Sequence, residues 1–127
     1  SLGRFQSNNN NQDALVIYIL ALTDQLSQSE SKVHRNKITD SIKKLNSEFL
    51  RHYYSGIFLE RQARSLLKHS MSRSFAYDGF IEAIAEFEIA EKMAPDHCAD
   101  PILRYNSCLR TIKKENLQPR QEFDELY

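Results

Sequence analysis

The clearest structural signal in this chain is the segment AIAEFEIAEKMAP, which runs from Ala83 to Pro95. Its apolar residues fall on two stripes at helical spacing, and glutamates lie among them. A residue before proline disfavours the helical conformation, so the helix should end at about Ala94. Two apolar stripes are typical of a helix that neighbouring helices cover on two sides. We therefore predict a buried helix that begins with Asp78 as its N-cap.

Four residues of this segment have a distinctive spacing. Ala83, Phe87, Ala90 and Pro95 stand at intervals of four, three and five. This order of small, aromatic, small and proline residues resembles the second helix of a tetratricopeptide repeat. The small residues would let a neighbouring helix approach closely, and the phenylalanine would fill the space between helices. The resemblance covers about residues 80–95 and implies a tetratricopeptide-like hairpin.

The chain before this segment does not keep the pattern of the repeat. The first helix of the repeat should show a large aromatic residue, a leucine, a glycine and a tyrosine. The corresponding positions hold Leu67, Ser70, Met71 and Ser74. The resemblance therefore implies one hairpin inside a less regular helical domain, and does not imply a full array of repeats.

The whole chain has 127 residues, a length that suits one domain. With three glycines and three prolines, it lacks the turn residues that a many-stranded sheet needs. The predicted fold class is all-α, an antiparallel helical bundle of four or five helices that contains the tetratricopeptide-like hairpin. The predicted divisions are a flexible polar arm over 1–12, a single helical domain over 13–115 and a loose C-terminal tail over 116–127.

The remaining helices are predicted from apolar spacing and from their end signals. A first helix spans about 13–28, a long helical pattern spans about 32–69, and a serine-rich connection follows over 70–77. Gly56 interrupts the long pattern and marks a bend, a break or a close helix crossing, because glycine costs about 1 kcal/mol in a helix interior. Asp100 as N-cap and Pro101 as first residue predict the start of the last helix, which ends near a pair of lysines.

The apolar run over 14–22 has nine residues, far fewer than the roughly 20 that a membrane-spanning helix needs. Val16, Ile17 and Ile19 also suit a buried strand, but the segment continues beyond normal strand length, so a helix is favoured. A helix that is apolar on nearly all sides is either buried in the domain or forms a homodimer through 14–26. We expect a cytoplasmic protein without a membrane span.

Charge divides along the chain although the total is balanced, with 17 basic and 17 acidic residues. Residues 32–73 hold ten Lys or Arg and three acids, a net charge of +7. Residues 74–100 hold one Lys and seven acids, a net charge of −6. One interpretation is that the two segments pack as antiparallel neighbours. The alternative is that the basic helix binds acidic partners or nucleic acid, although the balanced total argues against nucleic acid.

No metal, cofactor or catalytic site is expected from the sequence. His97, Cys98 and Cys108 lack the CxxC or HxxxH pairs that zinc sites use. The two cysteines are interpreted as reduced, buried thiols, and a bridge between them is the alternative. The chain has no phosphate-binding glycine loop, and its histidines and nucleophiles form no recognisable motif. The sequence therefore predicts a protein that is not an enzyme.

One candidate contact face remains on the long helix. Tyr54, Phe58 and Arg61 fall on one side of that helix at steps of four and three. Aromatic residues beside arginine are common at protein contact surfaces, and the alternative is a second core stripe beneath another helix. The expected function is a non-enzymatic protein-interaction or scaffold domain, which binds a protein or peptide partner or pairs with itself.

Overall fold

A computed structural model describes residues 2–26 and 31–120, with side chains from residue 11 onward. Five α-helices and one 3-10 turn make up these residues, and no strand occurs among them. The predicted all-α class is therefore confirmed, as is the helical interpretation of 14–22. The helices are α1 (Leu2–Asp24), α2 (Lys32–Lys43), α3 (Glu48–Leu66), α4 (Arg73–Met93) and α5 (Asp100–Lys114), and the 3-10 turn is Ser70–Ser72.

The first helix begins well before its predicted start near Asp13. Residues 2–12, which the sequence predicts as a flexible polar arm, continue α1, since no proline or glycine interrupts the chain from Arg4 onward. Gln12 fixes this turn to the connection that follows α2. Its side-chain oxygen accepts from the backbone N–H of Asn46 at 2.9 Å.

The long pattern over 32–69 is two helices, and the break lies at residues 44–47 rather than at Gly56. The hydroxyl of Ser47 accepts from the backbone N–H of Leu50 at 3.2 Å and so caps α3. Leu45 is buried within the break, which keeps the apolar spacing continuous across it. Gly56 lies inside α3 and marks a close helix crossing, because a Cβ there would lie 2.6 Å from the Phe87 ring.

The connection between α3 and α4 is shorter than the sequence predicts. The predicted loop covers residues 70–77, but α4 begins at Arg73, and Asp78 lies inside the helix instead of capping it. Ala76 is completely buried, so packing extends the helix toward its N-terminus. The other end of α4, at Met93 before Pro95, and the ends of α5 agree with prediction to within one residue.

Successive helices run antiparallel, so α1, α3 and α5 are parallel to one another. In α3 and α4, Gly56 faces Phe87 while Ala63 faces Gly79, which fixes opposite directions. The ring of His34 in α2 donates to the carbonyl of Leu22 in α1 at 2.8 Å, while Gln12 lies near the far end of α2. The bonds that join α3 to α5 keep a nearly constant sequence separation, as parallel helices require.

Two clusters of buried residues form the core, and α3 contributes to both. The aliphatic cluster joins α1, α2 and α3, and the aromatic cluster joins α3, α4 and α5. The aliphatic cluster consists of Ile19, Leu22, Leu26, Ile38, Ile42, Leu45 and Phe58. The aromatic cluster consists of Ile57, Ala63, Ala76, Phe80, Ala83, Ile84, Phe87, Cys108 and Leu117.

The folded region extends past the predicted boundary at residue 116. Leu117 is buried in the aromatic cluster, and its N–H donates to the carbonyl of Ile112 at 3.0 Å. Arg73 donates to the carboxylate of Glu115 at 3.2 Å, which joins the start of α4 to the end of α5. Residues 121–127 of the predicted tail lie outside the described residues.

Candidate binding groove

A groove runs over α3 between the parallel helices α1 and α5. We call it the central groove, and its volume is about 280 Å³. Because α1 and α5 lie on either side of α3, one helix supplies the floor and the other two supply the walls. The lining residues are Leu20, Tyr53, Tyr54, Ile57, Glu60, Arg61, Arg64 and Arg104.

A buried carboxylate lies at the centre of the groove. The side chain of Glu60 is only 2% exposed, and two arginines bind it. Arg64 Nε donates to Oε2 at 2.8 Å, and Arg104 Nε donates to Oε1 at 3.0 Å, with a second, shorter bond from Arg104. The hydrogen bond to Glu60 raises the pKa of Arg104, which keeps its guanidinium charged. This network locks α5 onto α3 and needs both of its arginines, since an unpaired buried carboxylate is costly.

Arg64 is held from several directions. Besides Glu60, it donates to Thr111 Oγ1 at 2.8 Å and to Ser107 Oγ at 3.0 Å. Its guanidinium carbon also lies 5.3 Å from the centre of the Phe80 ring. These contacts fix the rotamer of a long side chain, so its charge is presented in a single position.

Two tyrosines line the same groove. The rings of Tyr53 and Tyr54 meet edge to face with centroids 5.1 Å apart, and Tyr53 also lies 5.9 Å from Phe87. Burial raises the pKa of Tyr53 to about 12 and also raises the pKa of Tyr54. Both hydroxyls therefore stay neutral near pH 7 and can donate as well as accept hydrogen bonds.

The remaining arginine of the groove is more exposed. Arg61 donates to Thr23 Oγ1 at 3.0 Å and to the carboxylate of Asp24, which joins α3 to α1. The Asp24 side chain is 69% exposed, and that of Arg61 is 36% exposed. The Arg61–Asp24 pair is thus solvated, in contrast to the buried network around Glu60.

The predicted contact face is divided by the structure. Tyr54 and Arg61 line the central groove, but Phe58 is 8% exposed and packs in the aliphatic cluster. On its side of α3 it meets α1 and α2 of the same chain. Phe58 is therefore a core residue, as the alternative interpretation predicts, and it does not form part of a partner-binding surface.

The sequence does not identify Glu60 and Arg104 as site residues. The four-residue step from Glu60 to Arg64 is a readable signal of a helical ion pair. Arg104 gives no such signal, because its contact with Glu60 spans 44 residues.

None of the four residues of the proline-terminated segment lines the groove. Ala83, Phe87 and Ala90 are completely buried in α4, and Pro95 lies just beyond its end. Positions 67–74, where the repeat pattern would place its first helix, form the connection between α3 and α4 and the first residues of α4. The helix that pairs with α4 is instead α3, which ends at Leu66.

The outward side of α1 carries apolar residues within the predicted homodimer segment 14–26. Ile19, Leu22 and Leu26 point inward and are buried. Ile17 and Tyr18 are 67% and 46% exposed. Homodimerisation through this segment stays a prediction.

The charge division matches the packing only in part. The basic α3 and the acidic α4 are antiparallel neighbours, and His52 Nδ1 lies 2.6 Å from Glu86 Oε2 between them. Two arginines of the basic segment, however, pair with acids outside α4, Arg61 with Asp24 and Arg73 with Glu115, and Arg64 pairs with Glu60 of α3 itself.

The part of the chain that the structure describes offers few other groups that could form a metal or reactive site. No group of three or more His, Cys, Asp or Glu side chains there is arranged to hold a metal ion. Cys98 and Cys108 are free thiols. Cys108 is completely buried as predicted, whereas Cys98 is only partly buried, contrary to the prediction. None of the helices in residues 2–26 and 31–120 is both long enough and apolar enough to cross a membrane. The groove thus offers guanidinium groups, tyrosine hydroxyls and apolar surface.

Comparison with known proteins does not assign this groove, because the chain matches no family model, no curated protein and no solved structure.

Proposed function

We propose that this chain is a non-enzymatic protein-interaction domain whose central groove binds an extended segment with acidic and apolar side chains. The observation that carries the proposal is the meeting of three arginines and two tyrosines in one groove on three parallel helices. Arginine and tyrosine are enriched at the energetically important positions of protein interfaces. Guanidinium groups also bind carboxylates with paired hydrogen bonds.

The exposed ion pair provides a position for a ligand carboxylate. Arg61 is bound to Asp24 of the same chain, and a solvent-exposed pair of this kind contributes only about 0–1 kcal/mol. A carboxylate of an incoming segment can therefore replace Asp24 at little cost. Glu60 is different, because its burial between Arg64 and Arg104 makes that network part of the fold.

Exposed apolar side chains occur on both helices that form the walls of the groove. Ile17, 67% exposed, lies one turn before Leu20 on α1. Leu103, 58% exposed, is next to Arg104 and lies one turn before Ser107 on α5. Exposed apolar residues beside fixed charges suit a partner segment in which acidic and apolar residues are mixed.

Selection from a displayed peptide library tests this function, because it does not require a partner chosen in advance. We expect the folded chain to enrich peptides with Asp or Glu next to apolar residues. Binding of a selected peptide should weaken roughly tenfold or more in Arg61→Ala, because the bound peptide would shield Arg61 from water, and hydrogen bonds to a charged group are then worth about 1.5–3 kcal/mol. The matched control is Lys92→Ala, which removes one exposed cation from α4, outside the groove.

Two results would overturn the proposal. One is a selection without enrichment, and the other is equal binding of the enriched peptides by Arg61→Ala and the wild type. Circular dichroism of each variant separates lost binding from lost structure.

The surface of α2 favours a second candidate function, the binding of nucleic acid or of a larger acidic protein. Lys32, Lys37, Lys43 and Lys44 are all exposed there. Binding of a fluorescent DNA duplex that falls steeply with salt and is unchanged by Arg61→Ala would favour this alternative. Absence of binding at low salt would exclude duplex DNA.

A further inference from the structure

The last seven residues of the chain have the chemistry that the central groove is suited to bind. The sequence QEFDELY, residues 121–127, mixes three acids with three apolar or aromatic residues. The acids are Glu122, Asp124 and Glu125, and the apolar residues are Phe123, Leu126 and Tyr127. We infer that the groove of one copy binds residues 121–127 of a second copy. This inference rests on the proposed function and names the occupant of the same groove.

Charge supports this pairing. The groove and its exposed ion pair hold three arginines against two carboxylates, Glu60 and Asp24, a net charge of 3 − 2 = +1. When the segment displaces Asp24 from Arg61, the groove presents two arginines held on Glu60 and a third that is free to bind the ligand. The segment brings three negative charges, so attraction also directs its approach.

The dimensions are compatible as well. The groove floor extends along α3 from Tyr53 to Arg64, and eleven steps of helix give a length of about 16 Å. Seven extended residues span at most about 23 Å. The segment is thus long enough to lie along the whole floor, where its aromatic residues can reach the tyrosines.

The end of the described chain favours a second copy over the same molecule. The guanidinium carbon of Arg120 lies 4.1 Å from the centre of the Phe75 ring on α4. Leu117, just before it, is buried in the aromatic cluster. Because α4 contributes no residue to the groove lining, the segment that follows Arg120 starts away from its own groove.

Such a contact joins two different surfaces, the groove of one copy and the segment of another. Each copy offers both, so two copies can exchange segments reciprocally in a closed dimer, or successive copies can form rings or open chains. The expected behaviour is an association that increases with concentration and that added segment peptide inhibits.

The experiment uses the full chain and three variants in analytical ultracentrifugation. We expect the wild type to associate with rising concentration. Glu122→Gln/Asp124→Asn/Glu125→Gln, which neutralises the segment, and Arg61→Ala, which alters the groove, should each associate at least roughly tenfold more weakly. An equimolar mixture of these two variants should associate again, because one retains an intact groove and the other an intact segment. Lys92→Ala should behave as the wild type.

A direct binding measurement accompanies it. A fluorescein-labelled peptide of sequence QEFDELY should bind the full chain, and its Gln/Asn counterpart should bind at least roughly tenfold more weakly. A full chain that stays monomeric, or a neutralised segment that leaves association unchanged, overturns the inference. If library peptides still bind the groove while QEFDELY does not, this inference fails and the proposed function stands.

Discussion

The two halves of the core reach the same burial by different means. In the aliphatic cluster, large side chains such as Leu26 and Ile38 fill the space between α1, α2 and α3. In the aromatic cluster, the backbones of α3 and α4 come close at Gly56 and Gly79, and one large ring, Phe87, lies over the first of them. Large aliphatic residues can adjust when a neighbour changes, whereas a backbone crossing has no freedom to do so. We therefore expect the contact of α3 with α4 to adjust less to substitution than its contact with α1 and α2.

The strongest test compares the same substitution in the two clusters. Phe87→Ala should lower the free energy of unfolding by about 3–5 kcal/mol, because Phe87 is completely buried and its rigid surroundings would keep the cavity open. Phe58→Ala should cost less, because Phe58 is 8% exposed and its aliphatic neighbours can collapse. Urea denaturation measures both values. An equal or larger loss for Phe58→Ala would mean that the two clusters are equally rigid.

A smaller effect is expected when one methyl group is added at each helix crossing. A Cβ on Gly56 would lie 2.6 Å from the buried ring of Phe87, so Gly56→Ala should destabilise the fold by about 1–3 kcal/mol. A Cβ on Gly79 would lie 3.0 Å from the methyl group of Ala63, so Gly79→Ala should be milder. Alanine also gains about 1 kcal/mol over glycine in a helix, which offsets the cost at Gly79. Thermal unfolding compares the two, and a stabilised Gly56→Ala would show that Phe87 can move aside.

A third comparison concerns alkaline pH, through a thiol that belongs to the aromatic cluster. Burial, followed by the charge of Glu60, raises the pKa of the Cys108 thiol from 9.0 to about 12, although Arg64 and Arg104 act to lower it. Between about pH 9 and 12 the unfolded chain loses this proton and the folded chain keeps it. The stabilising contribution is therefore present below about pH 9 and is lost as the pH rises toward 12.

Urea denaturation across this pH range checks the prediction. The wild type should lose stability as the pH rises, and Cys108→Ala should show a shallower decline. Part of the slope should remain in that variant, because Tyr53 in the central groove also has a pKa raised to about 12. Identical slopes for the two proteins would show that the thiol does not contribute.

Several helix ends can be predicted from the sequence because they depend on residues that are close together in the chain. Pro95 and the pair Asp100–Pro101 mark helix ends through backbone geometry alone, and the structure places those ends within one residue. The break at residues 44–47 is hidden, because Leu45 is buried there and continues the apolar spacing of a helix. The overlooked signal is Ser47 before Glu48, an N-cap followed by an acid in the first turn.

The candidate site is predictable only where it depends on one helix. Tyr54 and Arg61 lie on the same side of α3 at helical spacing, so the sequence finds them. Phe58 shares that spacing yet belongs to the core, since periodicity gives a direction and does not reveal which helix covers it. Arg104 enters the groove from α5, and nothing local connects it with Glu60. Pairing across the chain is decided by tertiary packing.

The position of α3 has a consequence for how this molecule can be divided. Ile57 belongs to the aromatic cluster, and its immediate neighbour Phe58 belongs to the aliphatic cluster. A fragment that begins at Ser47 would lack α1 and α2 and would expose Phe58 on its side of α3. A fragment that ends before Ser47 would lack Phe58, which packs against α1 and α2. The two halves therefore do not form independent modules, and we expect a recombination junction between α2 and α3 to destabilise both products.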